Sequence, residues 1–140
     1  MYKLNENEIF CDVADGIAVA INSKTGIYYG LNRFGTAVFE LLIKGHSTPN
    51  VLNALKKIPN IPMDIEKNLH DFINVLLDTD MLLSTDSQTS EEIRLDANIA
   101  VADGFALTID EYADAKELLL ADPIHDVEEE TGWQPVLKIS

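Results

Sequence analysis

Residues 24–45 read KTGIYYGLNRFGTAVFELLIKG, and this stretch decides the fold. It runs from a tight turn into a short aromatic strand, round an asparagine corner and into an amphipathic helix without a break. Thr25-Gly26 makes the turn, because glycine enters the left-handed region at no steric cost. Ile27, Tyr28, Tyr29, Gly30 and Leu31 carry the aromatic and branched side chains of a strand, and Asn32 ends it. Phe34, Ala37, Val38, Leu41 and Leu42 then recur at helical spacing until Gly45 stops the helix.

Upstream, residues 8–14 alternate Ile9, Cys11 and Val13 with polar residues, the pattern of a half-buried strand. Asp15-Gly16 is a two-residue hairpin signal. Residues 17–21 are apolar throughout, which predicts a strand in the middle of its sheet. With residues 27–31 as the third strand, short turns make an antiparallel meander. Downstream, the chain changes to helical period. Thr48 and Pro49 suit an N-cap and first helical position, and Val51, Leu52, Leu55 and Ile58 form one stripe. Pro59 and Pro62 end that helix. A third helix is expected over residues 62–79, burying Ile65, Leu69, Phe72, Ile73 and Leu76. Met81-Leu82-Leu83 closes the unit.

Residues 84–94, STDSQTSEEIR, have linker composition. Beyond them, residues 98–101 suit a short strand. Thr108-Ile109-Asp110-Glu111 matches a capping box ahead of Tyr112, Ala115, Leu118, Leu119 and Leu120, which predicts a helix over residues 109–120. The chain thus divides into a unit at 1–83, a linker at 84–94 and an acidic extension at 95–140 that contains the single tryptophan, Trp133.

The 140 residues carry a net charge of −14, and it is unevenly spread. Residues 1–83 hold ten acids against seven bases, a net of −3, which leaves −11 for the remainder. Phosphate backbones are bound by Lys and Arg, so nucleic acid is not an expected partner; a basic protein surface is the more natural match. No apolar run approaches the ~20 residues of a membrane-spanning helix. The start, MYKLNENEIF, has no basic and apolar signal regions, so no membrane partner is expected and the cytoplasm is the expected location. The single cysteine, Cys11, cannot form an internal disulfide. Its acidic neighbours Glu8 and Asp12 argue for an inert thiol.

No catalytic grouping stands out. His46, His70 and His125 lie in unrelated contexts, without metal-ligand spacing between them, and P-loop, GxGxxG and GxSxG motifs are missing. His125 with Asp126, Glu128 and Glu129 reads as a solvated acidic stretch rather than an ion site. The expectation is therefore no enzyme, no cofactor and no metal. Tyr28 and Tyr29 point to opposite faces of their strand. If that strand is a sheet edge, its unpaired backbone groups template the addition of another chain.

Gly26, Tyr28, Leu31, Asn32, Gly35, Phe39, Leu41 and Leu42 follow the order glycine, tyrosine, Leu-Asn, glycine, bulky residue, leucine pair. In this the chain resembles the PqqD family, small domains that recognise leader peptides of ribosomally made, enzymatically modified peptides. Phe39 stands where tryptophan is more usual, which keeps the aromatic bulk. The resemblance covers about residues 8–83. It implies an α+β, winged-helix-like fold, a three-stranded meander followed by three helices, to which this chain adds an acidic C-terminal extension with one helix.

The resemblance also implies a function in natural product biosynthesis. The chain would be a non-enzymatic peptide chaperone whose partners are a precursor leader peptide and a modifying enzyme, radical-SAM or ATP-using. Leader peptides in the family add antiparallel to the third strand, with apolar residues in the cleft between that strand and the third helix. Carried over, the peptide-binding residues are Ile27, Tyr28, Tyr29, Gly30 and Leu31 on the strand and Lys67, His70 and Asp71 on the helix. Lys67 and His70 share a helix face and would meet acidic leader residues. The extension has three readings, in order: a docking helix for the modifying enzyme, a self-inhibiting pseudo-leader in the chain's own groove, or a fused substrate segment. The alternative from another class is a winged-helix transcriptional regulator, disfavoured because the third helix carries one basic residue, Lys67. Monomer and dimer are both open.

Overall fold

A computed structural model describes residues 1–113. In chain order these form β1 (Tyr2–Leu4), β2 (Ile9–Ala14), β3 (Ile17–Asn22), β4 (Tyr28–Leu31), α1 (Arg33–Ile43), α2 (Thr48–Lys56), α3 (Ile65–Asp78), β5 (Leu82–Ser84), α4 (Ala97–Ala102) and β6 (Ile109–Tyr112). The fold is α+β. One antiparallel sheet runs β2-β3-β4-β6, and a second, two-stranded one pairs β1 with β5.

The meander forms where the turn chemistry places it. Asp15 and Gly16 both have positive φ, 54° and 78°, so two residues join Ala14 to Ile17 in a turn whose twist matches the flanking strands. The β3–β4 turn is held by Asn22, whose side-chain oxygen accepts from the Lys24 and Thr25 backbone N–H groups at 2.8 and 3.2 Å, and Gly26 completes it at φ 77°. β3 lies between β2 and β4, as its apolar run predicts. The inward set of β2, the outer strand of its sheet, fades along its length: Ile9 is buried, Cys11 half-buried and Val13 40% exposed.

The helices cover one face of the larger sheet. Phe34, Val38, Phe39 and Leu42 of α1 meet Val51 and Leu55 of α2 and Ile65, Leu69, Phe72, Ile73 and Leu76 of α3 in one core. Full burial of each such side chain contributes ~1.5–3 kcal/mol before chain entropy is set against it. Thr36 is a buried polar member of α1, and its hydroxyl accepts from the Ala18 N–H at 2.8 Å, fastening α1 to β3. At the far side, Asn5 donates to the Asp80 carbonyl at 3.0 Å and helps β1 close on β5.

Several local readings need correction. The cap of α2 is Ser47 rather than Thr48, its hydroxyl accepting from the Asn50 N–H, so Pro49 moves one place into the helix. Residues 98–101 are not a strand. They lie in α4, capped by Asp96, whose carboxylate accepts from the Asn98 N–H at 2.9 Å. Thr108-Ile109-Asp110-Glu111 does not open a helix, because Ile109–Tyr112 is the strand β6. That segment finds a more complete set of backbone partners beside β4 than an exposed helical turn would supply. The remainder of the expected helix to Leu120, the His125 group and Trp133 lie outside the described residues.

Candidate peptide-binding site

The candidate site is built on β4. Alternation along the strand buries Tyr29 and Leu31 and leaves Tyr28 and Gly30 half-exposed on the outer side. β3 hydrogen-bonds one edge of β4, and β6 runs antiparallel along the other. The register pairs Tyr28 with Tyr112, Tyr29 with Glu111, Gly30 with Asp110 and Leu31 with Ile109. Opposed residues share a face, so Ile109 continues the buried side beside Leu31 and Glu111 lies beside Tyr29. Tyr112 joins Tyr28 on the outer side. There the row Phe10, Ile21, Tyr28 and Tyr112 crosses all four strands.

Asn32, one residue beyond β4, organises the corner. Its side-chain oxygen accepts from the Gly35 N–H at 2.8 Å, capping α1, and from the Thr108 N–H at 3.3 Å. Its amide nitrogen donates to the Ala106 carbonyl at 2.8 Å. The same side chain therefore starts the helix and receives the segment leading into β6. Asp103, from the turn after α4, supplies a second cap by accepting from the Phe34 N–H at 2.8 Å. A carboxylate there also complements the positive end of the helix dipole. Gly35 lets the layers close: a Cβ on it would lie 2.6 Å from Asn32 Oδ1, 3.1 Å from the Thr108 carbonyl oxygen and 3.4 Å from the Phe72 ring. Phe72 of α3 and the Thr108 carbonyl, just before β6, thus both close on Gly35.

Two groups near the site have displaced proton affinities. The Tyr29 phenol is raised above its ordinary value by burial first, then by the carboxylates of Glu111 and Asp80. The Cys11 thiol is raised by burial, then by Asp12 and Glu40, which keeps it a protonated, weakly nucleophilic group.

The expected site residues fall into two sets. Tyr28, Tyr29, Gly30 and Leu31 form β4 itself. Ile27 immediately precedes the strand, half-buried against the core, with its carbonyl accepting from Asn22 N–H at 2.9 Å. Lys67 and Asp71 lie together on α3, joined by a 2.8 Å exposed ion pair that raises the lysine's proton affinity. His70 lies in a different depression, with Tyr2, Thr48, Leu52, Glu66 and Ile73. At about 100° per residue, it is turned about 200° from Phe72. Asn32 and Phe72 were legible as a corner and a core residue, but their part in receiving a strand was not. Asp103, Thr108 and Glu111 gave no sequence signal for this place.

Among the described residues no group of three or more His, Cys, Asp or Glu could hold a metal ion, and no helix is long and apolar enough to cross a membrane. No protein-family model and no curated protein matches the chain. Among solved structures, the chain is similar to TbiB1, solved in complex with the TbiA(beta) leader peptide. The TM-score is 0.53 at 22% identity, over 61% of this chain and 99% of that one. The chain has a PqqD-like fold. Within the PqqD-like fold, the meander and the three helices that follow it set the β4 edge beside Asn32, Gly35 and Phe72, and β6 runs along that edge.

Proposed function

We propose that this chain is a non-catalytic peptide-binding protein that takes up the leader of a ribosomally made precursor peptide by strand addition to β4 and presents it to a modifying enzyme. The observation that carries the reading is the β4 edge, which accepts a four-residue antiparallel strand from the chain's own extension. Strand addition draws affinity from main-chain hydrogen bonds and selectivity from alternate side-chain positions. Here Leu31 and Tyr29 set the inward positions, and Tyr28 the outward one. The fold shared with TbiB1, whose structure holds a leader peptide, supports the same reading. On this reading residues 1–83 are the recognition unit and residues 95–140 a regulatory or docking extension. Lys67 and Asp71 would contribute at the periphery, where their ion pair must open before either meets a peptide, and His70, in its separate depression, would stand apart from the strand.

The test is a 15N NMR titration of the full chain with the leader of the precursor encoded beside its gene. Shifts concentrated on the amides of Tyr28–Leu31 are expected. Binding that leaves those amides unmoved, or no binding at all, would remove the proposal.

A further inference from the structure

The β4 edge is both accepting and occupied. A short strand of the same chain lies along its whole length, so any peptide that adds there must first take that strand's place.

The strand is placed to be exchanged. None of its four side chains is fully buried: Ile109 and Tyr112 are half-buried, and Asp110 and Glu111 are exposed. By contrast, α4 is anchored, with Ala100 buried in the core and Asp103 bonded to the start of α1. Between the anchored and the peripheral part lie Gly104 and Phe105, at φ 62° and 63°. Both lie in the left-handed region, and the Phe105 N–H donates to the Ala100 carbonyl at 2.8 Å, so the chain turns away from α4 here, before the strand begins. Segments with few buried contacts open locally without unfolding the domain.

The strand is also an imperfect occupant. Glu111 stands opposite Tyr29, and in a chain of net charge −14 its carboxylate is held against a surface of the same sign. A peptide with a neutral or basic side chain in that position escapes this repulsion. An apolar side chain opposite Leu31 is the feature of Ile109 worth keeping, because it completes the buried face.

We propose that residues 107–112 form a displaceable internal strand that covers the peptide-accepting edge of β4, and that the peptide which replaces it presents an apolar side chain to Leu31 and a non-acidic one to Tyr29. The inference rests on reading β4 as the peptide-binding edge. A covered edge lowers apparent affinity by the fraction of molecules in which it is open, so the strand sets a threshold that only a better-matched peptide passes.

The probe is a fluorescently labelled peptide with the sequence of residues 105–113, FALTIDEYA, titrated into the full chain and into its Ile109→Asp variant. Aspartate opposite Leu31 expels the internal strand while leaving β2, β3 and β4 unchanged in sequence. The variant is expected to bind the probe roughly ten-fold more tightly than the parent, with amide shifts on Tyr28–Leu31. The same probe carrying Glu111→Lys should bind more tightly still. Equal affinity of parent and variant overturns the displaceable strand, and no gain from the lysine probe overturns the charge preference.

Hydrogen exchange on the unmodified chain supplies a check independent of the variant's folding. The Asp110 and Glu111 amides should exchange faster than those of β3, through local opening. Exchange of β6 only through global unfolding overturns the proposal. A precursor leader that binds neither form while FALTIDEYA binds the released edge would remove the leader reading and leave this inference standing. A leader that binds both forms equally at Tyr28–Leu31 would do the reverse.

Discussion

The carboxylate of Asp103 accepts a 2.8 Å hydrogen bond from the backbone N–H of Phe34, so a residue from beyond the expected linker caps the helix that follows the meander. This contact and those of Asn32 join the C-terminal part of the described chain to the corner between β4 and α1. The first turn of an α-helix has four N–H groups without intrahelical acceptors. At α1, Asn32 serves Gly35 and Asp103 serves Phe34.

Replacing Asp103 by alanine leaves the Phe34 N–H without its acceptor and should lower stability by about 1 kcal/mol. The same change should increase hydrogen exchange at Thr108 and Asp110 more than at β3, because the turn before β6 loses its anchor. Exchange that rises uniformly across the chain would show that Asp103 serves α1 alone.

Asn32→Ala removes a cap, a bond to Ala106 and a bond to Thr108 in one step. The expected loss exceeds that of Asp103→Ala and reaches about 2 kcal/mol, the upper end for a cap residue. Urea unfolding checks the total. A double variant with Asp103→Ala should fall short of additivity, since both side chains hold the same corner.

Gly35→Ala tests the close approach of three layers. The new methyl would meet Asn32 Oδ1, the Thr108 carbonyl and the Phe72 ring, and overpacking of this kind costs roughly 1–3 kcal/mol. Thermal unfolding should show the loss. A neutral result would mean that the Thr108 segment withdraws freely.

The raised Tyr29 phenol makes stability fall at alkaline pH. An unfolded tyrosine ionises near pH ~10, whereas the folded one holds its proton to higher pH because of burial, Glu111 and Asp80. Below ~10 the contribution is complete; above it the unfolded chain has fewer bound protons, and stability declines until the folded phenol also ionises. Urea unfolding at about pH 9 and about pH 10.5 should show a steeper decline for the parent than for Tyr29→Phe. Glu111→Gln should bring the Tyr29 absorbance step to lower pH, and an unmoved step would place Glu111 away from the phenol.

Cys11 should react slowly with iodoacetamide, since burial and the Asp12 and Glu40 carboxylates disfavour its thiolate. Its rate should rise to that of free cysteine in urea. A native rate equal to the unfolded one would contradict the burial of this side chain.

The meander and its helices were legible in the sequence because their signals are local. Asp15-Gly16 and Gly26 carry turn geometry in their own dihedrals. Residues 17–21 carry central burial in unbroken apolarity, and Ile65, Leu69, Phe72, Ile73 and Leu76 carry helical period. The strand Tyr2–Leu4 was not legible, since three residues show no period and its partner, Leu82–Ser84, lies far along the sequence. Likewise, Asp96 and an alanine-rich run make α4 where apolar content alone suggested a strand.

The sequence by itself determined the turn–strand–corner–helix run of residues 24–45, the buried faces of three helices and the strand that carries the candidate site. These follow from side-chain period and turn chemistry within a few residues. Only the tertiary structure decided the fate of Thr108-Ile109-Asp110-Glu111. Locally those residues match a helix start, but the edge of β4 opposite β3, the Asn32 side chain and the space left by Gly35 offer them strand partners about 80 positions upstream. Backbone groups take the partners that three-dimensional proximity supplies, and proximity across the chain is not written in the period of a short segment.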